Sequence, residues 1–272
     1  MTLLVSWIGV DTHGISSAYI VSDSRFSWEN GHFDYGKKVF ASHLYPEIFG
    51  YVGDVLFPSI ILSQIVEMID SNILFDKSMD CNQKSSLVFE VLSKSISNYP
   101  INCMSDSMKI LYISRENQLD KYPEFYGYLF SWIKISGWKK EVLAMPSKSA
   151  ILCQLGSGRN EFIDNYVQYQ TGNNSDTSRN VFHCFIKTLF KIHDRYCGGA
   201  PQLVGIYRRP CTNARNFGII YEKKRYFLGN EVPILSNAEC IEWRNEFFEI
   251  CDGNTKSRKE TAIRQPDLLR NK

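Results

Sequence analysis

The chain has 272 residues, 44% hydrophobic and 22% charged, with a formal net charge of +2. A chain of this length can bury a substantial core in one large domain, and so even a charge balance gives no surface for tracking phosphates, which argues against nucleic acid as a partner. No apolar run approaches the roughly 18 residues of a membrane span, and the opening stretch lacks the basic segment and cleavage site of a signal peptide.

Residues 3–8 read as a buried strand directly behind Met1-Thr2, and residues 17–22 as a second strand able to pair with it across the polar turn 11–14. A loop around Glu29-Asn30-Gly31 leads to a short third strand over 37–40, and 47–52 is a fourth. Helical periodicity follows over 54–70, with Ile61, Leu62, Ile65 and Ile69 on one face, and again over 82–98, closed by Pro100. Strands return at 108–114, 125–135, 142–145 and 150–155. Helices are then expected over 160–170 and 179–195, with N-cap candidates in the polar loop 171–178. Further strands are expected over 202–207, 217–222 and 225–228. Last, Ser236-x-x-Glu239 reads as a capping box opening an amphipathic helix over 236–251, ended by Gly253. One domain is expected over 1–253, with 254–272 a flexible charged tail. Strand groups separated by helix pairs do not alternate as in a doubly wound sheet. They fit an α+β fold in which two mainly antiparallel sheets lie between helix pairs, a four-layer αββα sandwich.

The eight cysteines (81, 103, 153, 184, 197, 211, 240, 251) contain no C-x-x-C pair. They read as reduced thiols of a cytoplasmic protein, and neither a metal nor a cofactor is expected.

Polar residues gather at the element ends. Thr2 precedes the first strand, Asp23 ends the second within Ser22-Asp23-Ser24-Arg25, Lys38 opens the third, and Gly53 separates the fourth from the first helix. Later come Gly156-Ser157-Gly158 and Asp194-Arg195-Tyr196-Cys197-Gly198-Gly199. Each alone reads equally well as a turn, a cap or a solvated charge. In this order they resemble the proteasome-type N-terminal-nucleophile hydrolases, bacterial HslV and Anbu proteins above all. That family's mature chain starts with threonine and a hydrophobic strand, matched by Thr2-Leu3-Leu4-Val5-Ser6. Its aspartate is matched by Asp23, its lysine by Lys38 rather than Lys37, its glycine by Gly53, its Gly-Ser-Gly by 156–158, and its Asp-x-x-Ser-Gly-Gly by 194–199. The resemblance runs from Thr2 to about Tyr207. Departures are a longer first hairpin, Cys197 in place of a serine, and an extension beyond the family core.

The resemblance implies a threonine-type peptidase acting through an acyl-enzyme on Thr2 once Met1 is removed. A threonine hydroxyl needs a base to take its proton, and a free α-amine, with an intrinsic pKa near about 8, can be that base. Lys38 would stabilise the developing charge, Asp23 would hold Lys38, Gly53 would face the oxyanion, and Ser157, Asp194 and Cys197 would orient the amine. The implied substrate is a peptide or unfolded protein, and the implied assembly a homo-oligomeric ring or helical array, with an unfoldase partner left open. The alternatives are a catalytically inactive structural or regulatory member, and an amidase acting on a non-peptide amide.

Overall fold

The computed structural model describes residues 2–264 apart from 77, 101, 103, 118–121, 171–174, 210–212, 234–236 and 238. Within these residues the fold is mixed α+β, with four helices and mainly antiparallel sheets. The first sheet is built around β1 (Leu4–Asp11) and β2 (Gly14–Ser22), paired as a hairpin. β10 (Ala150–Leu155) flanks β1, while β11 (Gln202–Tyr207) flanks β2 and leads to β12 (Arg215–Tyr221), β13 (Lys224–Phe227) and β14 (Asn230–Glu231). The second sheet runs in order β5 (Val39–Ala41), β6 (Glu47–Val52), β7 (Ser107–Glu116), β8 (Glu124–Ile133) and β9 (Gly137–Leu143), all antiparallel. A separate hairpin of β3 (Phe26–Trp28) and β4 (Gly31–Phe33) occupies the stretch read from sequence as a loop.

Strand alternation explains why these segments are apolar throughout. Successive side chains leave opposite faces of a strand, so a sheet covered on both sides needs hydrophobic residues at every position. Leu3, just before β1, and Val5 and Trp7 within it cluster with Phe162 of α3 (Arg159–Val167) and with Val181, Phe182 and Phe185 of α4 (Ser178–Lys191). The intervening Leu4 and Ile8 cluster instead with Val39, Ile48, Val52, Leu111 and Ile113 of the second sheet. Phe49, Tyr51, Ile110 and Tyr112 of that sheet pack with α1 (Leu56–Asp70) and α2 (Cys81–Ser97). The α2 helix starts at a capping box made by Asp80 and Gln83, and Thr177 caps α4. No helix of the described residues is long and apolar enough to cross a membrane.

The C-terminal reading is corrected. Among the described residues of 236–251 there is no helix: Trp243–Asn245 forms β15, parallel to β12, and Ile250–Cys251 forms β16, antiparallel to β15. Ser236 of the expected capping box lies outside the described residues. The turn is fixed locally, because the Asn245 side chain accepts from the amides of Phe247 and Glu249, both at 3.0 Å. Phe248 sits at φ 61°, a left-handed conformation that stops any helix there. Trp243 in turn seats over Gly218, where any side chain would overlap its ring. Nor is 254–264 a loose tail: Arg258 bridges Cys251 and Ala262 is buried. Residues 265–272 lie outside the described residues.

One polar cluster is buried under α2. Lys84 Nζ donates to Glu47 at 3.0 Å, and Tyr112 donates to the same carboxylate at 2.7 Å. Burial pushes the Glu47 carboxyl up, opposed by Lys84. Removing one partner of such a pair strands the other without solvent. Lys84→Met is therefore expected to lower the unfolding free energy by about 3 kcal/mol, with Glu47→Gln in the same chain restoring much of it. Urea denaturation of the two variants measures both effects.

Candidate active site

The polar residues from the element ends converge at one end of the first sheet. Thr2, Asp23 and Lys38 are 2%, 0% and 1% exposed, so their contacts are made out of water. Lys38 Nζ donates to Thr2 Oγ1 at 2.6 Å and to Asp23 Oδ1 at 2.9 Å. The neighbouring Lys37 instead sets its ammonium over the Phe40 ring, 4.4 Å from the centroid. Lys38 immediately precedes β5 and does not begin it, which leaves its side chain at the mouth of the strand.

Asp23 is the hub. Its Oδ1 also accepts from the Leu3 amide at 3.1 Å, and its Oδ2 accepts from the amides of Arg25 (3.1 Å) and Gly198 (3.0 Å). A carboxylate with this many donors is fixed in one orientation. The Gly198 contact ties the 194–199 segment to the hub. Gly198 and Gly199 are packed against Arg25 and Asp34, leaving no room for a side chain at either position.

Around the Thr2 nitrogen lies a second polar group. That nitrogen donates to Ser157 Oγ at 3.3 Å, and Ser157 Oγ lies 3.9 Å from Cys197 Sγ. The Cys197 thiol donates to Asp194 Oδ2 at 3.4 Å. Burial, reinforced by the charges of Asp23 and Asp194, pushes the Cys197 thiol up, so it stays neutral and acts as a donor. Burial works against ionised Asp194, but donation from Ser157, the Tyr196 amide and Cys197 together hold its carboxyl below the ordinary value. Asp194 lies beyond the end of α4, in the turn that returns the chain to β11.

Two glycines are required by geometry. Gly53 has φ 99°, and a Cβ there would lie 2.4 Å from the Ser107 carbonyl oxygen. Gly156 has φ 92°, and a Cβ there would lie 1.9 Å from the Thr2 carbonyl oxygen. Gly53 and Ser157 border the same cleft, so the sequence-selected residues Thr2, Asp23, Lys38, Gly53, Ser157, Asp194 and Cys197 all belong to one region.

Two supports were not visible in the sequence. Gln202 is fully buried, and its side-chain amide joins four backbone groups. Its Oε1 accepts from Lys38 N (2.9 Å) and Val39 N (3.4 Å), while its Nε2 donates to the carbonyls of Asp23 (3.0 Å) and Gly36 (2.8 Å). The second is the Arg25–Asp34 pair, with contacts of 2.7 and 2.9 Å, closing the base of the β3–β4 hairpin between Asp23 and Lys38. A polar residue opening an otherwise apolar strand is the one signal that could have drawn attention to Gln202.

The sequence matches no protein-family model and no curated protein. Among solved structures it is similar to Thiobacillus denitrificans BPH in complex with epoxomicin, at 13% identity and a TM-score of 0.49, over 76% of this chain and 100% of that one. A likeness of that size decides nothing about the site.

The Arg25 hydrogen bonds hold the Asp34 carboxyl below its usual range, against partial burial. A lowered folded-state pKa contributes stability that is complete above the unfolded value and is lost as pH falls through the folded one. The unfolding midpoint should therefore fall below about pH 4, the ordinary carboxylate range. Asp34→Asn should show a shallower fall over that window, measured by thermal denaturation at stepped pH.

Proposed function

We propose that the chain is a threonine-type peptidase of the proteasome-like kind, hydrolysing peptide amide bonds through an ester on Thr2. The observation that carries this reading is the buried Lys38 ammonium, 2.6 Å from the Thr2 hydroxyl and 2.9 Å from Asp23. A cation within hydrogen-bond reach of a buried hydroxyl favours oxygen that is losing its proton, and Asp23 keeps that cation paired and aimed.

The reading requires removal of Met1, because the Thr2 nitrogen is a peptide nitrogen until then. Once freed, the α-amine would take the proton from Oγ1 as the oxygen attacks the carbonyl carbon of the substrate. The nearby Lys38 charge would lower the pKa of that amine by repulsion, and Ser157 would orient it. The tetrahedral oxyanion would rest against Gly53, where a positioned donor is worth roughly 2.7–4 kcal/mol. Collapse breaks the C–N bond, the amine returns its proton to the leaving nitrogen, and water then hydrolyses the ester. Asp194 and Cys197 would support Ser157 from behind.

The wider reading follows from the same family resemblance. The three apolar clusters support a four-layer αββα arrangement of helix pair, two sheets and helix pair, as one domain that includes the β15–β16 extension. The protein would work in the cytoplasm as a homo-oligomer. A non-catalytic structural member is the second reading, favoured by Cys197, whose thiol is a poorer partner for Ser157 than a hydroxyl.

Intact mass separates the two. The peptidase should lack Met1 and carry a covalent adduct on Thr2 after treatment with an electrophile that must bond both the hydroxyl and the amine of one N-terminal residue. Lys38→Ala should reduce turnover at least about a hundredfold, the scale of losing one transition-state donor, with circular dichroism unchanged. Retained Met1 with an unmodified Thr2 would rule the peptidase out, and an active Lys38→Ala enzyme would remove Lys38 from the mechanism.

A further inference from the structure

We infer that the cleft between Gly53 and Ser157 is a carboxylate-binding subsite, which receives an acidic group on the leaving-group side of the scissile bond. The inference rests on the peptidase reading and adds a substrate class to it. The cleft measures about 220 Å³ and is bounded by Gly53, Met108, Lys109, Gly156, Ser157 and Arg159 among others. Two of its lining residues are cations and none is a carboxylate. Among the described residues, neither Lys109 nor Arg159 is held in an ion pair.

Lys109 lies on the face of its strand that turns toward the first sheet. Along β7, Met108, Ile110 and Tyr112 pack with α1 and α2, whereas Leu111 and Ile113 pack with the first sheet. The two-residue period puts Lys109 on the same face as Leu111 and Ile113, beside the apolar middle of a face that Ser107 and Arg115 end. It pairs with Val52 in the register of β6, one residue before Gly53. Across the cleft it acts on β10: burial pushes the Cys153 thiol up to about 12, and the Lys109 charge opposes that rise. A cation kept at the mouth of an apolar face, without a carboxylate to meet it, is arranged for an anion that arrives with a ligand.

The side of the scissile bond follows from the chemistry. In acyl transfer the base that took the nucleophile's proton gives it to the leaving nitrogen, so the leaving group departs on the side of that base. Here the base is the Thr2 nitrogen, 3.3 Å from Ser157 Oγ, and Ser157 lines the cleft. The residue that follows the scissile bond therefore enters beside Lys109 and Arg159. Its carboxylate can come from an Asp or Glu side chain, or from the C-terminus of a short peptide.

Four peptides test this, differing only after the scissile bond: Glu, Gln and Lys versions with amidated C-termini, and a version ending there with a free carboxylate. The Glu peptide should exceed the Gln peptide in kcat/KM by about fivefold, the scale of two partly exposed ion pairs. The Lys peptide should be poorest, and the differences should shrink as salt is raised. A gain confined to the Glu peptide assigns the subsite to a side chain, and one confined to the free-carboxylate peptide assigns it to a chain end. The double variant Lys109→Glu/Arg159→Glu should reverse the order of Glu and Lys peptides. Equal rates for all four peptides overturn the inference, as does a Glu preference that survives Lys109→Gln/Arg159→Gln. If the protein neither cleaves nor is labelled at Thr2, the peptidase reading fails by itself. The cleft is then judged by calorimetry with the product peptide that begins with Glu. That peptide must bind more tightly than its Gln counterpart and lose the advantage in Lys109→Gln/Arg159→Gln; no difference overturns the subsite as well.

Discussion

The burial of the Lys38–Asp23 pair is the constraint on which the rest of the site depends. An ammonium and a carboxylate removed from water each cost several kcal/mol, and their mutual attraction offsets this only with good geometry and further hydrogen bonds. Asp23 meets that condition by accepting from Leu3, Arg25, Gly198 and Lys38. Those donors come from the residue before β1, the turn after β2, the 194–199 turn and the residue before β5. Any displacement of one element leaves part of a buried charge unsatisfied, so the pair fixes the relative positions of four chain segments. Thr2 is held at the same point, because its hydroxyl is the other acceptor of Lys38.

Gln202 explains how the pair tolerates a backbone that must bend twice around it. A primary amide presents acceptor and donor on opposite sides, and here each side serves two backbone groups. It thereby pins the main chain at Asp23 and at Lys38 simultaneously, independently of the ion pair between their side chains. The β3–β4 hairpin that joins those two residues is closed at its base by Arg25–Asp34. Side-chain, backbone and loop constraints thus act on the same two residues, which is the arrangement a preorganised site requires.

The parts legible in the sequence were those set by short-range rules. The continuous apolar runs of β1, β2 and β6, the spacing of Ile61, Leu62, Ile65 and Ile69 on α1, and the strand-end positions of Asp23, Lys38 and Gly53 all follow from local pattern and turn chemistry. Gln202 was not legible, since its partners lie up to 179 residues away, and the Arg25–Asp34 pair, though only nine residues apart, closes a hairpin that was read as a loop. The C-terminal segment failed for another reason. Ile241, Trp243, Phe247, Phe248 and Ile250 satisfy a helical spacing about as well as a strand-and-turn one, a common ambiguity of short apolar runs. What decided it was the bare surface of Gly218 on β12, which accepts the Trp243 ring only if residues 243–245 run alongside as a strand.

Cys197 shows how the same network accommodates a thiol. A thiol is a weaker donor with a longer reach than a hydroxyl, and it would be costly to ionise in this position, where burial and two carboxylates oppose a thiolate. Neutral, it still donates to Asp194, but its 3.9 Å separation from Ser157 is long for a firm hydrogen bond. Orientation of Ser157 therefore depends more on the backbone than on Cys197. That backbone is itself constrained, because the Gly158 amide donates to the Thr2 carbonyl at 3.3 Å and Gly156 closes onto the same carbonyl. The glycines on either side of Ser157 thus tie it directly to the residue whose nitrogen it contacts, and main-chain geometry carries what the weak Cys197 contact does not.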